Sequence, residues 1–393
     1  MAAITSELNN NVLTIRFSGR IDSGNAPLAE AEVNKAVSSN PHTSVIADLD
    51  ELEYISSAGL RVILRLRKNE PTLKIVNVTS EVYEIFDMTG FTEMLPIEKG
   101  YRKLSVDGCE VIGQGANGKV YRLDPDTIIK VYFNSDALDD IHRERELARK
   151  AFVLGIPTAI PYDVVKVGDT YGSVFELLNA KSFAKLIAQQ PEKLDEYVEM
   201  SVDLMRKIHS TEVKPNDMPD MKETGVKWAS FTAEYLPEET GKKLVRLIKE
   251  IPTDYHMIHG DYHIKNVMLQ NGETLLIDMD TLCYGHPIFE LASVYNAYVG
   301  FSSVDKGVSM RFLGIPHETA LSIRDKTLEL YFSGRSKEEI AEIEKMAKVI
   351  GFTRLLRRNV RRKEYETEVG GKELELFKSN LISLLAEVDK LYY

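Results

Sequence analysis

Cysteine is nearly absent: Cys109 and Cys283 are the only two in 393 residues. They are far apart and lack metal-ligand spacing, which argues against a disulfide framework or a zinc site and fits a reducing cytoplasm. An excess of positive charge is missing as well. The net charge of −11 argues against a general nucleic-acid binder, because neutralising phosphates needs a basic surface. No apolar run is long enough to span a bilayer, so no membrane partner is expected. The opening residues, MAAITSELNN, carry neither a basic region nor an apolar stretch, so no signal peptide is expected. No fixed-period repeat and no low-complexity segment is evident. What remains is the composition of a globular protein, 44% hydrophobic and 28% charged, in a chain too long for one ordinary core.

The pattern of elements divides the chain. Residues 12–17, 44–49 and 73–78 read as strands rich in β-branched and apolar residues. Between and after them, Asn25–Val37, a segment capped by Ser56 or Ser57, and Glu81–Met88 carry a helical apolar rhythm. Such alternation predicts an α/β region, helices packed on a mixed sheet, over residues 1–100. A second, α+β region is expected over 101–393. Its strands are predicted at Val106–Ile112, Lys119–Leu123, Thr127–Phe133, Asp163–Val167 and Tyr171–Leu178, with a charged helix at Asp136–Leu154. From about Ser182 the pattern is mostly helical, broken at 257–281. The expected outcome is a strand-rich small lobe (about 101–178) and a helix-rich large lobe (about 179–393).

Chemistry concentrates in this second region. Gly113-Gln114-Gly115-Ala116-Asn117-Gly118 is a G-x-G-x-x-G stretch, in which Gly113, Gly115, Asn117 and Gly118 are candidates for approaching phosphate oxygens. A strand rather than a helix follows it, which favours a strand–loop–strand flap over a dinucleotide-binding turn. Lys130 sits among apolar residues in the next strand, where burial would need an anionic partner. Glu144 or Glu146 on the charged helix could supply that partner, and Glu144 is favoured. Asp261 and Asn266 share a short loop after an apolar strand, and Asp278 ends another. Phosphoryl transfer needs that set: one carboxylate to orient a hydroxyl, and an amide oxygen with a second carboxylate to hold Mg²⁺.

The segment His259-Gly260-Asp261-Tyr262-His263-Ile264-Lys265-Asn266 resembles the catalytic loop of aminoglycoside phosphotransferases and choline kinase-like enzymes, which share a protein-kinase-like fold. Ile277-Asp278-Met279-Asp280 is similar to their metal-binding segment, and Gly285 to Ala292 to their G-D-P-x-x-D-L-A, with Glu290 in place of Asp. The resemblance implies an ATP/Mg²⁺-dependent phosphotransferase acting on a hydroxyl of a small molecule or a protein. Asp261 would be its base, and Asn266 and Asp278 its metal ligands. Lys130 would hold phosphate and Glu144 would hold Lys130. Glu176 and Leu178 would line the adenine hinge, and His259 and His263 would support the loop. A polycationic antibiotic acceptor would need a carboxylate-rich cleft. The alternative reading is a nucleotide-sensing binding protein that transfers nothing.

The first region resembles a STAS domain, the fold of bacterial anti-sigma-factor antagonists, through Phe17–Asp22, Asp48–Arg61 and Val82–Phe91. That implies a protein regulator as partner, with Ser57 at the position of a phosphorylated serine; a plain helix cap is the bland reading of Ser57. Arg354, Arg357, Arg358, Arg361 and Arg362 recur at helical spacing. They read as an anionic-partner surface or, more economically, as a solvated face pairing with the many carboxylates. Trp228 reads as core, and His209 and His256 as structural.

Overall fold

The computed structural model describes residues 3–115 and 117–393. The chain divides into two compact units, Met1–Asp107 with Val164–Tyr171, and Gly108–Asp163 with Gly172–Tyr393.

In the first unit, strands β1 (Ala3–Asn9), β2 (Val12–Ile21), β3 (Ser44–Ile55), β4 (Lys74–Val78) and β5 (Ile97–Lys99) form one sheet in that order. β1 is antiparallel to β2, and the other neighbours are parallel. Parallel neighbours need long crossovers. Helices α1 (Ala26–Ser39), α2 (Ser57–Asn69), α3 (Ser80–Met88) and α4 (Phe91–Met94) supply them. Alternate residues Leu13, Ile15 and Phe17 of β2 and Val45, Ala47 and Leu49 of β3 are fully buried, and α2 covers them with Leu60, Ile63 and Leu66. The mixed sheet agrees with the α/β expectation. β1 escaped the sequence reading because nearly all of it is exposed, so it has no buried face to betray it. Its signal is the turn: Asn10 and Asn11 both have positive φ (48° and 62°), the geometry of a two-residue primed hairpin.

The second unit opens with β6 (Val111–Gln114), β7 (Gly118–Arg122) and β8 (Thr127–Tyr132), followed along the chain by β9 (Pro161–Val167) and β10 (Thr170–Glu176); β6, β7, β8 and residues 172–176 of β10 are neighbours in that order. The strand expected at Val106–Ile112 begins only at Val111, because Asp107 and Gly108 form a turn with Gly108 at φ +78°. Helix α5 (Leu138–Val153) follows β8. Gly118 is dictated by packing: a Cβ there would lie 2.3 Å from the Val131 carbonyl oxygen.

The rest is mostly helical: α6 (Phe183–Gln189), α7 (Leu194–His209), α8 (Met221–Ala233), α9 (Glu238–Glu250), α10 (Ile288–Tyr298), α11 (Gly307–Leu313), α12 (His317–Tyr331), α13 (Lys337–Arg361) and α14 (Glu368–Glu387). Every residue of α10 is buried, so it is the axis of this lobe. Two short ladders interrupt the helices. One is β11 (Lys181–Ser182), β13 (Val267–Gln270) and β14 (Glu273–Leu276) in the order β11-β13-β14. The other pairs β12 (Met257–Ile258) with β15 (Cys283–Tyr284). Among the described residues no helix is long and apolar enough to cross a membrane.

Candidate active site

Lys130 is the cation around which the site is built. It lies within β8, between Val120 of β7 and Ser173 of β10. Its Nζ is 3.0 Å from both carboxylate oxygens of Glu144 on α5 and 3.2 Å from Oδ1 of Asp278. Glu144 is buried and also accepts a hydrogen bond from the Tyr132 hydroxyl at 2.6 Å. Burial works against the Lys130 charge, but Glu144 and then Asp278 outweigh it and push its pKa up to about 12. Glu146 faces elsewhere and pairs with Lys150 at 2.8 Å.

The loop after β12 is clamped from below. Glu290 of α10 is fully buried and accepts backbone N–H bonds from His259 (2.5 Å), Gly260 (3.0 Å) and Tyr262 (3.3 Å). His209 Nε2 stands 3.7 Å from Glu290, an ion-pair separation too long for a hydrogen bond. Burial raises the Glu290 pKa, but His209, His259 and the loop amides pull it below the ordinary glutamate range. Gly260 has φ +82°, and a Cβ there would meet the Thr281 carbonyl at 2.6 Å, so only glycine lets the chain turn here. His259 adds a contact from Nε2 to the Ile277 carbonyl at 3.2 Å, and His263 Nε2 lies 3.7 Å from Asp261 Oδ2. The Asp261 carboxylate is half-exposed. Burial pushes its pKa up, but His263 first, then Arg354 and His259, draw it down to about 2. Asn266 is buried and donates its amide to the Asp261 carbonyl at 3.1 Å, which leaves Oδ1 as its acceptor.

Asp278 adopts a left-handed conformation (φ 65°, ψ 66°) just beyond β14, which ends at Leu276, and Asp280 lies two residues on. Asp280 accepts a hydrogen bond from Asn117 of the glycine loop at 3.3 Å. Burial, then the charges of Asp278 and Glu144, push the Asp280 pKa up to about 7. Three carboxylates thus share the single ammonium of Lys130. That surplus of negative charge, together with the amide oxygen of Asn266, is a hard-oxygen donor set that fits Mg²⁺. Among the described residues no group of three or more His, Cys, Asp or Glu is arranged as a self-sufficient metal cage. Mg²⁺ does not need one, since it is commonly held by one or two carboxylates plus substrate phosphates and water.

The glycine loop joins β6 and β7, with the Gly115 amide bonded to the Gly118 carbonyl at 2.9 Å. A Cβ on Gly115 would touch nothing, and one on Gly113 only Val120 at 3.7 Å, so the fold does not demand glycine at either position. Ala116 lies outside the described residues. Glu176 ends β10, paired with Thr127. The Leu177 amide is spent on the Asp126 carbonyl at 2.7 Å, whereas the Leu178 amide makes no backbone hydrogen bond among the described residues.

In the first unit, Ser56 and not Ser57 caps α2, accepting from the Gly59 amide at 3.3 Å; Ser57 is the exposed first helical residue. The reading of Ser57 as a plain cap is therefore corrected. Sequence reasoning also passed over two participants. Glu290 counted only as a departure from a motif, although its length is what reaches three amides. Asp280 was quoted without a role. Trp228 packs, half-buried, against the large-lobe core as expected, and its ring also carries the Arg354 guanidinium 4.9 Å from its centre.

Residues 108–313 match the model of the phosphotransferase enzyme family, and residues 3–104 match that of the STAS domain. Over 98 residues the first region is 34% identical to a Bordetella bronchiseptica protein named for anti-sigma factor antagonism, covering 24% of this chain and 84% of that protein. It is 24% identical to the anti-sigma F factor antagonist of Paenibacillus polymyxa, again over 24% of this chain and 84% of that protein. Among solved structures, the aminoglycoside phosphotransferase APH(4)-Ia aligns with a TM-score of 0.50 at 11% identity, over 72% of this chain and 94% of that one. At so low an identity the likeness shows a shared kinase-like fold.

Proposed function

We propose, from the premise that this chain belongs to the phosphotransferase enzyme family, that it moves the γ-phosphoryl group of ATP to a hydroxyl of an acceptor, with Mg²⁺ as cofactor. The observation that carries this reading is one ammonium, that of Lys130, held at 3.0 Å by Glu144 and at 3.2 Å by Asp278, 148 residues away in sequence. No structural need of the strand accounts for that convergence on a lysine flanked by apolar residues. In this reading Lys130 binds phosphate oxygens and Glu144 aims it. Gly113, Gly115, Asn117 and Gly118 cover the phosphates, and Glu176 and Leu178 offer backbone groups to adenine. Asn266 and Asp278, with Asp280 beside them, hold Mg²⁺, which when bound offsets the charge on the phosphates.

Asp261 orients the acceptor hydroxyl. As the acceptor oxygen bonds to the γ-phosphorus, the bond from that phosphorus to the ADP oxygen breaks and the hydroxyl proton passes to Asp261. A carboxylate held near pKa 2 is a weak base, so its proton moves late, in keeping with a loose, largely dissociative transition state. His263 and Glu290 fix the loop that carries it. The STAS region, ending at about residue 100, docks a protein regulator; its likeness to anti-sigma-factor antagonists supports this. A phosphate on the exposed Ser57 would lie at the positive end of α2 and change that contact.

Replacing Asp261→Asn tests the assignment. Phosphoryl transfer falls by roughly 10²- to 10⁴-fold, whereas the thermal shift produced by Mg–ADP persists. Retained turnover would sink it.

A further inference from the structure

The acidic loop residue Asp261 opens onto a cavity of about 450 Å³ whose other walls are strongly basic. Arg354, Arg357, Arg358, Arg361 and Arg362 line it, all from one side of α13 and the residue after it, with Trp228, Phe301 and Leu355 supplying apolar surface. The spacing of these arginines, at i, i+3, i+4, i+7 and i+8, places them on a single helix face. In a chain of net charge −11, five guanidinium groups facing one carboxylate is a local reversal of sign. The volume is that of a small-molecule site rather than of a macromolecular groove.

The surrounding carboxylates do not account for this concentration. Arg358 bonds Glu364 at 3.1 Å, and Arg362 reaches the same oxygen only at 4.0 Å. Arg354 is engaged with the Ser293 hydroxyl and the Trp228 ring. Arg357 and Arg361 have no hydrogen bond or ion pair among the described residues. Burial, and then the like charges of Arg361 and Arg354, lower the pKa of Arg357. Five guanidinium groups lining one cavity, with Glu364 answering only Arg358 and Arg362 and no carboxylate paired with Arg357 or Arg361 among the described residues, are arranged for an anion that arrives from outside.

We propose that the acceptor of phosphoryl transfer is a small molecule bearing, besides its hydroxyl, an acid group (phosphate or carboxylate) that Arg357 and Arg361 bind. This rests on the phosphotransferase reading and narrows it. The hydroxyl sits at Asp261, the acid group lies along α13, and the carbon frame rests on Trp228, Phe301 and Leu355. A polycation would meet five like charges in this cavity, so an aminoglycoside is disfavoured as acceptor. The step balances as described above: the acceptor hydroxyl oxygen gains the γ-phosphoryl group, ADP leaves with the electron pair of the broken P–O bond, and the hydroxyl proton goes to Asp261.

The chain supplies its own reporter, because Trp228 is its one tryptophan. With Mg–ADP bound, a hexose phosphate, a hydroxycarboxylic acid, the parent hexose and an aminoglycoside are titrated while Trp228 emission is recorded, and each is then tried as acceptor with Mg–ATP. The two acids shift the emission, the neutral and cationic compounds do not, and the stronger acid identifies the anion class. In Arg357→Ala and Arg361→Ala the KM for the acidic acceptor rises roughly 10- to 100-fold with a smaller change in kcat, and Arg357→Lys recovers part of the loss. Thermal shifts with Mg–ADP verify that each variant is folded. Absence of any response to either acid in the wild type, an equal response in Arg357→Ala/Arg361→Ala, or preferential turnover of the neutral or cationic compound would overturn the proposal. An Arg357-dependent response to acids with no transfer to any compound would uphold the anion site and overturn the phosphotransfer reading instead.

Discussion

Around Lys130 three carboxylates share one ammonium; around Asp261 one carboxylate faces five arginines. Both regions belong to the second unit of the same acidic chain, yet their charge balances are opposite. In the proposed reading, the difference follows from what each would bind. A nucleotide delivered with divalent metal brings cations of its own, so the site that receives it can carry surplus negative charge. An anionic acceptor brings none, so the protein itself must provide the positive charge. Coulomb repulsion between like charges makes each imbalance costly until its ligand arrives.

The comparison can be broken on the acidic side first. Glu144→Gln removes the charge that holds Lys130 and should lower kcat/KM for Mg–ATP by about 100-fold, since a displaced phosphate ligand costs positioning. Glu146→Gln, its neighbour on the same helix, should change it less than about twofold. Steady-state kinetics on the pair checks both. Asp280→Asn comes next. It relieves the crowding that raises this carboxyl to about 7, and it should raise the Mg²⁺ concentration needed for half-maximal activity by about tenfold. An unchanged metal requirement would remove Asp280 from the donor set.

The smallest effect concerns Glu290, a carboxylate answered by backbone amides and by the neighbouring His209 and His259. Its folded pKa is depressed. Its contribution to stability is therefore fully present above the ordinary glutamate range and is lost as pH falls through the folded value. The stability gap between wild type and Glu290→Gln, measured by denaturant titration, should narrow as pH falls below the ordinary glutamate range. A gap independent of pH would mean that the amide clamp does not need the charge.

Much of this arrangement was legible in the sequence because it depends on order and local pattern. The glycine stretch, Lys130, Glu144, the Asp261–Asn266 loop and Asp278 succeed one another at spacings that only a few folds use. The strands of the first unit announced themselves by apolar, β-branched runs such as Val45-Ile46-Ala47. What stayed hidden depended on contacts between distant segments. A helical spacing shows that Arg354, Arg357 and Arg361 share a face, but not that the face lines a cavity with Asp261. The role of Glu290 appears only when its carboxylate is seen against three amides some thirty residues earlier. β1 has no buried periodicity to read.

Helix α10 gives one further consequence. Glu290 near its start grips the loop that carries Asp261, and Ser293, one turn on, donates to the Gly260 carbonyl at 2.7 Å while it accepts from Arg354. Asn296, another turn on, donates to the Gly351 carbonyl of α13 at 3.2 Å. The Asp261 loop and the arginine row are thus bolted to one buried rod. Their separation acts as a ruler of fixed length, and an acceptor qualifies by the distance between its hydroxyl and its acid group as much as by the presence of either.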